Sequence, residues 1–444
     1  MRHCNKYYTF LLLNYESLLY LFLKETYNRI LFALIMELSE KSKHYISLEQ
    51  KYGAHNYEPL PVVLSKGKGS IVWDVEGKEY FDFLSAYSAV NQGHCHPKIV
   101  EALTEQANTL CLTSRAFYND CLGPYEKLMN DIFGYDKLLP MNSGAEAVET
   151  ALKLSRKWAY QVKGVEENKA IIITCNNNFH GRTISIISYS TDDNAKKEYG
   201  PYTPGFESIN YNDVEALRNV LEEKGDDIAA FLIEPIQGEA GVIVPDEGYL
   251  KKCYDLCKQH NVLFVADEIQ TGIARTGKML CCDHENIRPE IVILGKAISG
   301  GVLPVSAILC DDEIMMTVSP GQHGSTFGGF PLACKVASAA IKVVLDEDLA
   351  EKAERLGNIF RNEMSHVNSP FIKLIRGKGL LNAIEIQPHN GKNAWDVCIE
   401  MAKNGLLAKP THENIIRFAP PLVISEEQLK EGVDIIIKSL KSLE

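Results

Sequence analysis

Residues 262–296 read VLFVADEIQTGIARTGKMLCCDHENIRPEIVILGK, and the fold is decided here. The stretch holds two apolar runs, 262–266 and 291–294, each too short for a helix and built from strand formers. The first leads into Asp267 and the second, through Gly295, into Lys296. In a parallel α/β sheet both ends lie at the carboxyl edge, where such folds bind ligands. A carboxylate and an amine at one edge suit a cofactor with a basic ring nitrogen and an aldehyde. Pyridoxal phosphate carries both, and its proteins pair a Schiff-base lysine with an acidic partner for that nitrogen. Each residue also has a plainer reading, since lysines are commonly solvated and an Asp-Glu pair after a strand can cap the next helix.

A different class of function is written in the same stretch. Residues 272–278 spell G-x-x-x-x-G-K, the start of a nucleotide-binding P-loop. Met279 stands where the Ser or Thr hydroxyl that holds magnesium is needed, and residues 267–271 separate the glycines from their strand. A P-loop NTPase is therefore the remote alternative.

A chain of 444 residues exceeds one typical core, so two or three domains are expected. The net charge of −12 and pI near 5.6 exclude the basic footprint that nucleic acid requires. Twelve cysteines form no CxxC pair, and Cys253, Cys257 and Cys310 sit in apolar patterns as buried thiols of a reducing compartment. That compartment is taken as the cytoplasm, with the mitochondrial matrix as alternative. His94-Cys95-His96 is read as structural, because adjacent residues rarely point at one ion. In residues 1–35 the apolar run 10–23 is broken by Asn14, Glu16 and Ser17, a poor membrane span, and Glu16 and Glu25 are unlike an acid-poor presequence. This is an N-terminal extension of uncertain role, and no membrane partner is expected.

Residues 70–74 and 78–82 flank Glu76-Gly77 as a hairpin, and 85–97 form a polar loop. A strand at 137–141 runs into Asn142-Ser143-Gly144-Ala145-Glu146 and a helical pattern to about residue 162. Ser143 and Glu146 have capping-box spacing, and the amides of Ser143, Gly144 and Ala145 would face outward to attract a phosphate. An ordinary cap without ligand fits equally well. Further strands at 170–174, 229–233 and 305–310 alternate with helices such as 249–259, which means a mainly parallel sheet with covered faces. Beyond the helix starting near Pro331 come strands at 374–376, 380–386 and 415–418 and helices at 348–364, 393–404 and 426–443. The expected division is 36–88 as an N-terminal segment packing with the small domain, 89–345 as a large domain, and 346–444 as a smaller α+β domain.

From about Tyr52 onward, nine blocks appear in order: YGAHNYEPLPV, FLSAYSAVNQGHCHP, LTSRAFYN, EPIQGEAGV, VADEIQTG, ILGKAISGG, HGSTFGG, RGKGLLNAI and IIRFAPPLVI. In these the chain resembles the class III, fold-type I pyridoxal-phosphate aminotransferases, and its tyrosine-bearing blocks resemble the family's ornithine δ-aminotransferases. The resemblance implies that Lys296 holds the cofactor and moves the proton, while Asp267 pairs with the ring nitrogen. It gives Gln270 to the phenolic oxygen, Phe179 to the ring face with His180 beside it, and Ser143, Gly144 and Ala145 to the phosphate. Thr326, next to Ser325, would join them from a neighbouring protomer, so a homodimer or higher oligomer with shared sites is implied. The implied substrates are ornithine and 2-oxoglutarate in a ping-pong exchange. Arg182 would bind the carboxylate remote from the reacting carbon, Arg417 the α-carboxylate of 2-oxoglutarate, and Tyr57 and Tyr87 the α-amino acid end of ornithine. Glu239 would mask Arg417 when ornithine is bound. Acetylornithine and 4-aminobutyrate aminotransferases are the nearer alternatives. The chain departs from the ornithine pattern at His180, Leu303 and Phe330, none of them a catalytic group.

Overall fold

A computed structural model describes residues 38–444, and the expectations for residues 1–35 lie outside the described residues. Residues 38–66 together with Val72–Glu79 belong to one compact unit, and Gly67–Ile71 with Tyr80–Glu444 form the other.

In the first unit the helix Glu40–Tyr52 starts at Ser39, whose hydroxyl accepts from the Ser42 amide at 3.1 Å. Ser42 Oγ in turn donates to both Glu76 carboxylate oxygens at 3.0 Å. Asp74 Oδ1 accepts from the Glu76 and Lys78 amides, closing the turn that the sequence predicts around Glu76-Gly77.

The second unit is built on a seven-stranded sheet. Its strands are β1 (Lys137–Met141), β2 (Ile171–Cys175), β3 (Phe206–Ile209), β4 (Ile228–Ile233), β5 (Leu263–Asp267), β6 (Ile291–Leu294) and β7 (Ser306–Cys310). Their spatial order is β1-β7-β6-β5-β4-β2-β3. β7 runs antiparallel to both neighbours, and the pairs from β6 through β3 are parallel. Both faces are covered, which explains the unbroken apolar runs of β4, β5 and β6. Alternate residues divide between the faces: Leu263 and Val265 pack with helix Gly144–Trp158 on one side, Phe264 and Ala266 with helix Tyr249–Gln259 on the other.

A second, wholly antiparallel sheet contains β8 (Ile372–Lys378), β9 (Leu381–Ile386), β10 (Lys409–Thr411) and β11 (Ile415–Phe418), in the order β8-β9-β11-β10. Helix Leu349–Ser365 comes so close to the β8–β9 turn that a Cβ on Gly357 would lie 1.7 Å from the Gly379 carbonyl oxygen, so only glycine fits there.

The structure differs from the expectation at residues 85–97 and 377–378. The loop expected at 85–97 opens with a left-handed helical turn, Ser85 to Ser88 having φ of +48°, +46°, +61° and +72°. Asp82 Oδ1 pins that turn by accepting the Leu84 and Ser85 amides. The helix after Ser143 ends at Trp158 and finishes in a π turn, Ala159–Lys163. β8 runs through Gly377 and Lys378, which the sequence reads as a turn. No helix begins at residue 278 as a P-loop would demand, since a 3₁₀ turn, Cys281–Glu285, follows instead. His94 and His96 point at different carboxylates, Asp82 at 2.7 Å and Glu347 at 3.0 Å.

Candidate active site

The carboxyl edge of the sheet carries the candidate site. β5 ends on Asp267, and Lys296 follows β6 after Gly295 in a left-handed backbone conformation (φ +43°). The β2 chain end delivers Phe179 and His180, β4 delivers Glu234, and β1 leads into the helix that starts at Gly144. These ends enclose a cavity of about 210 Å³ in which Lys296, Asp267, Phe179, Gln270, Gly144 and Ala145 all take part. Sheet topology alone brings together residues more than a hundred positions apart.

Electrostatics set the state of each group. Burial lowers the pKa of the Lys296 amine, against the pull of Glu239 and Asp267. That favours the neutral, nucleophilic form. Asp267 is 4 % exposed, and its Oδ2 lies 2.6 Å from His180 Nδ1 while Oδ1 accepts the Ile269 amide at 3.1 Å. Burial disfavours a charge on His180, but the Asp267 hydrogen bond and the Asp267 and Glu234 charges outweigh it and raise the imidazole pKa. Glu234 accepts the Phe179 amide at 3.0 Å and the Gly238 amide at 3.4 Å, and burial pushes its pKa up to about 7.

Around the mouth, Arg417 Nη1 pairs with Glu239 Oε1 at 2.7 Å. Burial works against the Glu239 charge, yet the Arg417 guanidinium and its hydrogen bond hold that carboxyl below its ordinary pKa. The Arg417 guanidinium also lies 5.0 Å from the centre of the Tyr87 ring. Gln270 Nε2 donates to the Tyr87 carbonyl at 3.3 Å, and its side chain fills the space over Gly238, where a Cβ would meet Gln270 Oε1 at 1.5 Å.

Other expected site residues stand differently. The Ser143 amide is not turned outward, because it donates to Glu146 Oε2 at 2.7 Å in a completed capping box. Gly144 and Ala145 line the cavity at that helix start; Ser143 does not. Arg182 lies outside the cavity, paired with Asp192 at 3.2 Å and stacked 5.3 Å from the Phe179 ring centre. Ser325 accepts from Asn142 Nδ2 at 2.9 Å, and Thr326 is exposed; neither lines this chain's cavity. Tyr57 belongs to the first unit and is 74 % exposed. Sequence reasoning missed Glu234, although it follows an apolar strand just as Asp267 does.

An amine of lowered pKa, a buried carboxylate, an aromatic side chain and a 15-residue helix start surround one cavity. They fit the aldehyde, ring nitrogen, ring face and phosphate of pyridoxal phosphate. The comparisons agree. Residues 52–440 match the family described as aminotransferase class-III. The mitochondrial ornithine aminotransferase of Rattus norvegicus is 57% identical over 401 residues, covering 90% of this chain and 91% of the relative. The ornithine aminotransferase structure from Toxoplasma gondii aligns with a TM-score of 0.89 at 48% identity, covering 92% and 96% of the two chains. The structure of acetylornithine aminotransferase from Elizabethkingia anophelis aligns with a TM-score of 0.83 at 59% identity, covering 90% and 99%. With its match running through nearly the whole described chain, this protein belongs to the class III aminotransferases, enzymes that use pyridoxal 5'-phosphate.

Proposed function

We propose that the chain transfers the δ-amino group of L-ornithine to 2-oxoglutarate, giving glutamate and glutamate 5-semialdehyde, which cyclises to pyrroline-5-carboxylate. The observation that carries this reading is the Glu239–Arg417 pair at the mouth of the Lys296 cavity. One pocket must handle ornithine at its δ-carbon and 2-oxoglutarate at its α-carbon. An unmasked arginine beside Lys296 would draw ornithine's α-carboxylate to the reacting end. Glu239 cancels that charge while ornithine is bound and leaves Arg417 free when 2-oxoglutarate arrives. Such a pair can switch because desolvation offsets much of its attraction.

When bound, the cofactor supplies an aldehyde for the incoming amine and a ring that withdraws electrons from the reacting carbon. Asp267, fixed by His180, would keep the ring nitrogen protonated. The Gly144 and Ala145 amides would hold the phosphate, Phe179 the ring face and Gln270 the phenolic oxygen. Lys296 would remove and return the proton at the reacting carbon of the substrate. Tyr87 would meet the α-amino acid end of ornithine, with Arg182 as a further contact. The elements from residue 346 onward would act as a small domain that carries Arg417.

The same reading includes a homodimer or higher oligomer with shared sites. Phe117 and Tyr118 are exposed at 72 % and 105 %, and Leu110, Leu112 and Phe327 are exposed too. The Leu332 amide reaches the Cys111 carbonyl at 3.5 Å, which brings these two stretches near each other. A patch of this kind would suit an interface between protomers, and Thr326 beside it would complete the partner's phosphate site. Sedimentation analysis of the purified protein should return at least twice the chain mass. The expected compartment is the cytoplasm, with the mitochondrial matrix as alternative, to be separated by fractionation. Among the described residues no helix is long and apolar enough to cross a membrane.

The deciding experiment compares ornithine, N-acetylornithine and 4-aminobutyrate as amino donors to 2-oxoglutarate in steady state. Ornithine should give the highest kcat/KM; a preference for either of the others would overturn the substrate assignment.

A further inference from the structure

Among the described residues Arg275 heads the fully buried side chains by volume, yet its hydrogen-bond partners are all neutral. Nε and Nη2 donate to Asn91 Oδ1, at 3.2 Å and 2.5 Å. Nη1 donates to the Leu380 carbonyl at 3.0 Å and the Pro420 carbonyl at 2.7 Å. The surrounding backbone repeats the connection: the Leu380 amide donates to the Arg275 carbonyl, Asn91 Nδ2 to the Ile273 carbonyl, and the Leu422 amide to the Asn91 carbonyl. Ile273 and Ala274 take φ of +52° and +71°, a left-handed path that non-glycine residues adopt only at a cost. Burial lowers the guanidinium pKa to about 9, with Asp82 opposing, so the group is charged at neutral pH. Burying a charge among neutral acceptors is a poor way to gain stability, because apolar packing of equal volume does as well or better.

What Arg275 joins suggests a different purpose. Its own loop follows Asp267 and Gln270. Asn91 ends the segment that carries Tyr87. Pro420 lies three residues beyond Arg417, and Leu380 precedes β9, the strand paired with β11. We propose that Arg275 is a positioning residue that fixes Arg417 relative to the Lys296 cavity, and thereby sets the span between α-carboxylate recognition and the reacting centre. This inference rests on the reading that Arg417 receives the α-carboxylate of 2-oxoglutarate.

The test measures the two half-reactions separately, by rapid mixing of the holoenzyme with ornithine and of its amine form with 2-oxoglutarate. Lysine is a point charge on a flexible stem and cannot serve acceptors on both sides as the guanidinium fork does. Arg275→Lys should therefore raise the half-saturating 2-oxoglutarate concentration about tenfold, with the ornithine value and both saturated rates changed about twofold or less. Asn91→Ala removes one side of the anchor and should shift the same constant in the same direction by roughly threefold. It carries the test alone if Arg275→Lys does not fold. Arg417→Lys is the control for the underlying reading. If it raises the 2-oxoglutarate constant and neither anchor variant does, the positioning role is refuted while the reading stands. A parallel loss in both half-reactions of an anchor variant also refutes it, since that is what loosened packing would do. If Arg417→Lys leaves the constant unchanged, the reading fails and the inference with it.

Discussion

Two acid–base pairs flank the cavity, and they are built to opposite ends. His180 and Asp267 lie 2.6 Å apart with 1 % and 4 % of their side chains exposed, on the rigid edge of the seven-stranded sheet. Arg417 and Glu239 lie 2.7 Å apart, but Glu239 is 27 % exposed and sits on the loop after β4, while Arg417 comes from the second sheet. The first pair is enclosed, so moving either partner would strand a buried charge. In the second only Glu239 reaches solvent, Arg417 being 5 % exposed. On the proposed function, one pair would hold a carboxylate still for chemistry common to both half-reactions, and the other would change partners between them.

This contrast can be broken by mutation. On the fixed side the largest effect belongs to Lys296→Ala, which should cut turnover by roughly 10⁴-fold or more through loss of the acid–base group, measured in steady state with ornithine. Retention of ordinary turnover would remove Lys296 from the mechanism. Asp267→Asn should cost on the order of 10²–10³-fold, because a neutral amide no longer holds a positive ring nitrogen. On the switching side, Glu239→Gln should raise α- relative to δ-transamination of ornithine about tenfold, a differential worth ~1.4 kcal/mol, read from the products formed. An unchanged ratio would mean that Glu239 does not mask Arg417. Between the pairs, Gly238→Ala forces Gln270 out of its place and should weaken cofactor retention by about tenfold, seen on dialysis.

The smallest expected effect is a pH signature of the fixed pair. The folded-state pKa of His180 is raised, so its protonated pairing with Asp267 stabilises the protein fully below the unfolded value of about 6.5. That contribution is lost as pH rises through the folded-state pKa. His180→Gln should therefore lower Tm most at pH 6 and progressively less as pH rises from about 6.5 to the raised value. A deficit that grows with pH would contradict the pairing.

How much of this was legible depended on whether local chemistry or tertiary contact decided the outcome. β6, and helices Tyr249–Gln259 and Glu426–Leu443, start and stop where their apolar periodicity does, and Asp267 and Lys296 follow from strand ends. β3, the edge strand Phe206–Ile209, escaped notice because FESI is short and only half apolar. The left-handed turn at Ser85–Ser88 was invisible because it contains no glycine; Asp82 enforces it from outside. The capping box at Ser143 was readable, but not its consequence that Glu146 occupies the Ser143 amide and leaves Gly144 and Ala145 to line the cavity. Arg275 looked like part of a degenerate P-loop, since its partners are carbonyls that no motif records.

The central claim is that Lys296 is the residue that binds the cofactor's aldehyde. Borohydride reduction of the purified holoenzyme, followed by proteolysis and mass spectrometry, tests it directly. The account predicts the reduced pyridoxyl phosphate on the peptide containing Lys296. Stable attachment to any other lysine, such as Lys278 or Lys378, would contradict it.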